Sequence, residues 1–274
     1  MVEQVQERLR ALGSALVAFS GGTDSALVLA LAHAALGDRA VALTAVSASL
    51  PAHELAAARA FADRLGVRHL LVETREIEDP DYAKNASNRC YFCKRALYAR
   101  CEEQARLLGL GHVVDGFNAD DASDHRPGRQ AAVERAVLSP LAEAGMTKAA
   151  VREAARALGL SVWDKPQSPC LSSRLPYGTA VTVERLAQVG AAEDALRSLG
   201  FREFRIRHHG DVARLELAEL ELPRLLDGSL RARVDAAVRA VGYRFVAIDL
   251  EPFRSGRMND GLVALALLSR CARS

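Results

Sequence analysis

Short apolar runs alternate with longer segments of helical periodicity over the first two thirds of the chain. The predicted helices here are Met1 to Leu12, Ala26 to Leu36, Pro51 to Leu65, one that ends near Leu108, and Thr147 to Leu158. This alternation predicts right-handed βαβ crossovers and a parallel sheet, with ligands bound at the carboxyl ends of the strands. The predicted strands are Ala15 to Phe19, Ala40 to Val46, Val67 to Val72 and His112 to Gly116.

The pattern changes after Gly178, where two predicted strands follow each other directly. We therefore expect an α/β fold with two domains, residues 1–178 with the parallel sheet and residues 179–274 as a smaller C-terminal α/β domain. The elements predicted in the second domain are a helix from Val183 to Leu199, strands from Phe201 to His208 and from Val212 to Leu217, a helix from Leu230 to Val241 and a strand from Tyr243 to Leu250.

A glycine-rich turn joins the first predicted strand to its helix. Such a turn aims backbone N–H groups and the positive end of a helix dipole at an anion, which predicts a bound nucleotide phosphate. It lacks the Lys of a Walker loop and the spacing of a dinucleotide-binding loop. A simple capped turn is the alternative. The turn consists of Ser20, Gly21, Gly22, Thr23, Asp24 and Ser25.

Three cysteines are candidates for metal or nucleophilic chemistry. Cys90 and Cys93 lie one helical turn apart, a spacing that lets two thiolates face one metal centre. Cys170 lies in a proline-rich segment near Arg174, where a nearby cation favours the thiolate. A lone loop cysteine is often inert, and Cys101 fits a packing role better than a ligand role.

Polar residues after other strands extend the candidate site. Ser47 follows the second strand and Asp120 lies in an acidic loop after the fourth, so both are predicted to contact the cofactor, Asp120 through Mg²⁺ or ribose. A solvated turn is the alternative for that loop, which also contains Asp124 and His125. Arg205 and Arg207 share a strand face with His209, and this face suits a phosphate or carboxylate unless it is an exposed basic edge.

Composition limits the classes of partner. The net charge is +2, from 36 basic and 34 acidic residues, and gives no electrostatic case for nucleic acid binding. No run approaches 18 apolar residues, and Met1 to Arg10 has no apolar signal core, so we expect a cytoplasmic protein without a membrane partner. Five cysteines in such a chain do not predict a disulfide framework.

Several motifs together resemble a known family. The SGGTDS turn resembles the pyrophosphate-binding loop of PP-loop ATPases. With the further motifs, nearly the whole chain resembles the LarE family of sulfur transferases, which serve the nickel-pincer nucleotide cofactor of lactate racemase. These further motifs are NRCYFCK, GFNADD with DHRPG, WDKPQSPCLSSRLPYGT, FRIRHHGDVARLEL and DLEPFRSGRMN.

The resemblance implies that ATP adenylates a carboxylate of pyridinium-3,5-dicarboxylate mononucleotide, releasing pyrophosphate, and that the carboxylate becomes a thiocarboxylate. It implies that the glycine-rich turn binds pyrophosphate, with Asp24 as a Mg²⁺ contact. It also implies that Arg205 and Arg207 lie beside the small-molecule nucleotide substrate. Arg174, near the reacting Cys170, offers a third guanidinium for the anions of this substrate.

Two sulfur sources fit the resemblance. Cys170 gives up its own sulfur, or Cys90, Cys93 and Cys170 hold a [4Fe-4S] cluster that carries an extra sulfide; the presence of all three favours the cluster. A PP-loop tRNA thiolase and a nucleotide-binding sensor without turnover are the alternative functions. The sequence leaves homo-oligomerisation and the sulfur donor in the cell open.

Overall fold

A computed structural model describes residues 1–122 and 127–254. The chain divides into two compact units, Met1–Ser168 and Pro169–Ser274. Asp124, His125, the end of the last motif and the apolar run from Leu262 to Leu268 lie outside the described residues. No helix in the described part of the chain is both long and apolar enough to cross a bilayer.

The first unit alternates strands and helices. Its strands are β1 (Ala15–Ala18), β2 (Ala40–Val46), β3 (Arg68–Glu73) and β4 (Val113–Val114). Its helices are α1 (Val2–Leu12), α2 (Thr23–Leu36), α3 (Ala52–Leu65), α4 (Pro80–Ala83), α5 (Arg89–Leu107), α6 (Gly128–Glu134), α7 (Pro140–Glu143) and α8 (Lys148–Ala157). Short 3₁₀ helices span Gly37–Arg39, Glu76–Glu78 and Asp120–Ala122.

The four strands form one parallel sheet, as the sequence predicts, and the structure shows their order to be β3-β2-β1-β4. Strand β4 is shorter than the predicted run from His112 to Gly116. It ends early because the Asp115 carboxylate accepts hydrogen bonds from Phe117 N and from the Tyr98 hydroxyl, which turns the chain away from the sheet.

Both faces of this sheet are covered. Val17 packs in a core with α1, α2 and α8, whereas Leu16 and Ala18 pack in a second core with residues of α5 such as Cys101. Two buried faces explain why the strands are continuously apolar. Cys101 is fully buried, and burial raises its thiol pKa to about 12, so its predicted packing role is confirmed.

The second unit is a small α/β layer. Its elements are a 3₁₀ helix at Leu171–Arg174, α9 (Val183–Ser198), β5 (Phe204–His209), β6 (Val212–Leu217), a 3₁₀ helix at Leu222–Leu226, α10 (Gly228–Ala240) and β7 (Phe245–Ile248). The strand order is β5-β6-β7, with β5 antiparallel and β7 parallel to β6. Phe204, Ile206 and Leu215 form its core with Leu196 and Val238.

The division between the units comes at Ser168, ten residues before the predicted boundary at Gly178. The segment after Ser168 belongs with the second unit because Arg174 forms a buried ion pair with Glu193 of α9. Leu171 also packs closely on Gly190 of the same helix. The proline-rich composition of this segment is typical of a linker, so the sequence does not indicate these contacts.

Candidate functional site

The glycine-rich turn follows β1 and leads into α2. Gly21 adopts a left-handed conformation with φ of 76°, and a side-chain carbon there would lie 3.0 Å from Cβ of Ala58. Glycine is therefore required at this position by both conformation and space.

Hydroxyl groups within the turn hold its shape. The Ser25 hydroxyl donates to Gly22 O and accepts from Ser20 N, while Ser20 Oγ lies 3.1 Å from Ser25 Oγ. The first backbone bond of α2 runs from Ala26 N to Gly22 O, and no described side chain caps the helix. The backbone N–H groups of the first helical turn therefore remain for an anion.

A distant segment holds the turn from the other side. The Thr23 hydroxyl donates to Val162 O at 2.7 Å. The Lys165 ammonium donates to Gly21 O at 2.9 Å and forms a 2.6 Å ion pair with Glu54. Burial alone would raise the pKa of Glu54, but hydrogen bonds from His53 and Lys165 outweigh it and hold the pKa at about 2. Glu54 therefore stays ionised and fixes the lysine beside the turn.

Lys165 and Glu54 are missing from the site residues predicted from sequence. The sequence contains one indirect signal: only four of its 36 basic residues are Lys, so a lysine is unusual in this arginine-rich chain. An ammonium group presents three N–H donors around one point, which suits two acceptors in different directions.

Gly116 brings the loop after β4 against the start of α2. A side-chain carbon at Gly116 would lie 2.6 Å from Ser25 N and 2.9 Å from the carbonyl carbon of Asp24. These are backbone atoms and cannot rotate away. Only glycine therefore allows this approach, which brings the acidic loop to the helix that carries Asp24.

Two carboxylates define the electrostatics at this point. Burial raises the pKa of Asp24 above its usual value, and the neighbouring Asp121 carboxylate raises it further, while Lys148 and Asn118 act in the opposite direction. Asp121 accepts from Asn118 N and lies 3.3 Å from the Lys148 ammonium. Carboxylates that repel each other are the donor set that a divalent cation favours.

The other predicted cofactor residues have protein partners. Asp120 accepts a hydrogen bond from Lys148 N at the start of α8, so Asp121, rather than Asp120, is the carboxylate that acts on Asp24. Ser47 Oγ lies 2.9 Å from Ser49 Oγ and accepts from Ser49 N. The roles predicted for Ser47 and Asp120 stay predictions.

Cys90 and Cys93 lie in the first turns of α5 and belong to the first unit. Cys90 is exposed and Cys93 is half-buried, so both thiols are nearer the surface than Cys101. The start of a helix favours negative charge, which suits thiolate ligands. A side-chain carbon at Gly128 would lie 3.4 Å from Cys90 O, so α6 packs tightly against this turn.

Cys170 belongs to the second unit, and its backbone is held by Arg174. The Arg174 guanidinium is fully buried and donates to the carbonyls of Pro169 and Cys170. It also donates to both carboxylate oxygens of Glu193 at 2.9 Å. The half-buried Cys170 side chain therefore extends from a rigid support. In this structure Arg174 binds the cysteine loop itself.

Arg205 and Arg207 lie on the β5 face opposite the core residues, as period two predicts. Both are buried, so the alternative of an exposed basic edge is wrong for them, although His209 is exposed. Arg207 pairs with Glu216 at 2.7 Å and donates to Ser173 O. Arg205 stacks on Phe253, and burial followed by repulsion from Arg174 lowers its pKa to about 10.

The described residues contain no group of three His, Cys, Asp or Glu side chains arranged to hold a metal ion. Two of the three predicted thiolate ligands lie in the first unit and one in the second. The three-cysteine site therefore stays a prediction.

The fold and turn define the class of the protein: an α/β nucleotide-binding protein with a phosphate-binding turn between β1 and α2. Residues 1–90 match the asparagine synthase family. An uncharacterized protein of Synechocystis is 45% identical over 263 residues, covering 94% of this chain and 98% of the relative. Pyridinium-3,5-bisthiocarboxylic acid mononucleotide synthase of Lactiplantibacillus plantarum is 40% identical, covering 94% of each chain.

The family match lies within the first unit, whereas the two relatives each match 94% of the chain and so extend across both units. The chain therefore belongs to the LarE family of PP-loop, ATP-dependent sulfurtransferases.

Proposed function

We propose that the protein adenylates a carboxylate of pyridinium-3,5-dicarboxylate mononucleotide and converts it to a thiocarboxylate. The observation that carries this proposal is the turn after β1, whose helix start remains open to an anion next to two carboxylates. The substrate class follows from the name of the Lactiplantibacillus relative, a pyridinium-3,5-bisthiocarboxylic acid mononucleotide synthase.

The first step requires a good leaving group. A carboxylate oxygen of the substrate attacks the α-phosphorus of ATP, the bond to the bridging oxygen breaks, and pyrophosphate leaves. The N–H groups at the start of α2 stabilise the charge on pyrophosphate, and Lys165 places a positive charge beside Gly21. Asp24, with Asp121, would hold the Mg²⁺ that offsets the phosphate charge.

The second unit suits an anionic substrate. Arg174, Arg205 and Arg207 are buried there with Glu193 and Glu216, so these five side chains carry a net charge of +1. Burial, followed by repulsion from Arg174, lowers the pKa of Arg205, and an anion bound beside it would offset that repulsion. Arg205 and Arg207 are our proposed contacts for the substrate phosphate and carboxylates. Arg174 supports the backbone at Pro169 and Cys170.

The second step forms the carbon–sulfur bond. A sulfur nucleophile attacks the acyl carbon and AMP leaves. If the nucleophile is Cys170, a thioester forms; loss of the α-proton and cleavage of the Cβ–S bond then leave sulfur on the substrate and dehydroalanine at position 170. Alternatively, a [4Fe-4S] cluster held by Cys90, Cys93 and Cys170 would supply sulfide, and we favour this source because all three cysteines are present.

Pyrophosphate release with different acceptors tests the function. We expect release with the pyridinium dicarboxylate mononucleotide and none above background with nicotinate mononucleotide or tRNA. Salt-sensitive release with tRNA would instead identify a tRNA thiolase. Nucleotide binding without release with any acceptor would identify a sensor.

Cysteine variants test the sulfur source. We expect Cys90→Ala, Cys93→Ala and Cys170→Ala each to be inactive in anaerobically reconstituted protein, and Cys101→Ala to retain activity if it folds. The parent is expected to turn over repeatedly with added sulfide, and iron and sulfide analysis gives a second readout. One thiocarboxylate per chain from Cys90→Ala, with dehydroalanine at position 170, would overturn the cluster in favour of the sacrificial route.

A further inference from the structure

A buried carboxylate lies at the same edge of the sheet as the phosphate-binding turn. Glu76 follows β3, and its Oε1 accepts a hydrogen bond from the hydroxyl of Ser49, which follows β2. Both residues are 5% exposed. Within the described part of the chain, the second carboxylate oxygen of Glu76, Oε2, has no hydrogen-bond partner.

The hydrogen bonds around Glu76 have a fixed direction. A carboxylate only accepts, so the Ser49 proton points to Glu76. Ser49 Oγ then accepts the proton of Ser47 Oγ, 2.9 Å away, and Ser47 Oγ accepts from Ser49 N. Both hydroxyl protons are therefore used, and what remains for a ligand is acceptor capacity at Glu76 Oε2. Ser47 is half-buried, so this chain of hydroxyls reaches the surface at that end.

The free acceptor at Glu76 Oε2 determines which kind of ligand group can bind beside it. A buried carboxylate oxygen without a donor is costly, and it repels a phosphate. It suits a neutral group that brings an N–H or O–H. Because neighbouring strands lie about 4.8 Å apart, the end of β3 is about 10 Å from the end of β1. The same edge of the sheet therefore has an anion site after β1 and, after β3, a carboxylate that can accept a hydrogen bond.

We propose that Glu76 recognises the nucleoside end of the bound ATP by accepting a hydrogen bond from it. Two groups of ATP have the required chemistry: the ribose hydroxyls and the exocyclic amine of adenine. The proposal rests on the ATP-dependent function above, with the triphosphate on the turn after β1. Specificity for the nucleotide then comes from Glu76, whereas the turn binds only phosphate.

Nucleotide binding measured by calorimetry tests this proposal without any acceptor or sulfur source. A hydrogen bond to a charged group makes a difference of about 10-fold or more in affinity. We therefore expect Glu76→Gln to bind ATP at least about 10-fold more weakly than the parent. Glu78→Gln is the matched control, because Glu78 lies in the same 3₁₀ helix with a side chain that is 67% exposed; it should bind like the parent.

ATP analogues identify the donor. If it is a ribose hydroxyl, 2′-deoxy- or 3′-deoxy-ATP should bind the parent as weakly as ATP binds Glu76→Gln, and the variant should not discriminate further. If the donor is the exocyclic amine of adenine, purine riboside triphosphate, which lacks this amine, should bind the parent as weakly as ATP binds Glu76→Gln. Parent protein that binds ATP and all three analogues equally would overturn the proposal, even if Glu76→Gln fails to fold. Binding of ATP without pyrophosphate release when the pyridinium dicarboxylate mononucleotide is also present would contradict the proposed function alone.

Discussion

The turn after β1 and the arginine cluster of the second unit are both proposed to bind anions, and they are built in opposite ways. The turn uses backbone N–H groups, and its shape depends on glycines and on bonds to distant segments. The cluster uses full charges that are buried and paired with Glu193 and Glu216. The comparison implies that the turn is sensitive to an added methyl group and the cluster to an unpaired charge.

The largest effect is expected from unpairing a charge in the cluster. Arg174→Met leaves Glu193 buried without its bidentate partner, which should cost about 3–5 kcal/mol of unfolding free energy. Arg239→Met removes an exposed pair in which Arg239 Nε donates to both carboxylate oxygens of Asp235, and it should cost at most about 1 kcal/mol. Urea unfolding of both variants measures the difference. Equal costs would show that burial does not distinguish the two pairs.

Next in size is the loss of a carboxylate at the turn. Asp24→Asn should reduce pyrophosphate release about 10²–10³-fold, the usual cost of removing one group that stabilises developing charge. The folding stability of this variant should rise, although its activity falls. Because the folded state raises the pKa of Asp24, ionisation destabilises the fold as the pH rises through that pKa. Asp24→Asn should thus be more stable than the parent at pH 7 and similar at low pH.

Asp63→Asn on the exposed surface of α3 is the control for both measurements. An Asp24→Asn protein with parental pyrophosphate release would remove Asp24 from the proposed mechanism. A loss of stability at pH 7 would contradict the charge repulsion between Asp24 and Asp121.

Adding a single methyl group at Gly116 tests whether the turn is sensitive to steric crowding. Gly116→Ala pushes a carbon to within 2.6 Å of Ser25 N and should cost about 1–3 kcal/mol, with weaker ATP binding because α2 must move. Gly111→Ala meets only Ser14 Oγ at 3.6 Å and should be close to neutral. Calorimetric titration with ATP compares the two variants. Parental affinity in Gly116→Ala would show that the turn tolerates displacement.

The smallest effect is expected from the ion pair between Lys165 and Glu54, which lies beside the turn. Glu54→Gln weakens the bond to Lys165 and should cost about 1 kcal/mol at pH 6. Since the folded pKa of Glu54 is about 2, the parent loses this contribution only as the pH falls from the usual carboxyl range through 2. The two proteins should therefore converge in stability in acid. A constant difference across this range would assign the cost to packing.

The sequence predicts the elements of this fold well, because periodicity and glycine stops are local signals. The parallel sheet and the turn between β1 and α2 are confirmed. Contacts between distant segments have no such signal. Lys165 lies 144 residues from Gly21, and the steric need for glycine at 116 arises only when the fourth strand reaches α2. The two compact units divide at Ser168 and not at Gly178 for the same reason, since Arg174 and Glu193 come into contact only when the unit folds.

The bonds from Thr23 to Val162 and from Lys165 to Gly21 have a consequence for folding in the cell. The turn is among the first segments to leave the ribosome, but its outer support is translated about 140 residues later. At about 5–20 residues per second, the nascent chain spends several seconds or more without that support. Such long-range closure also raises the contact order and slows folding. A nascent chain that ends before Val162 should therefore contain all four strands of the sheet but bind ATP more weakly than the 274-residue chain.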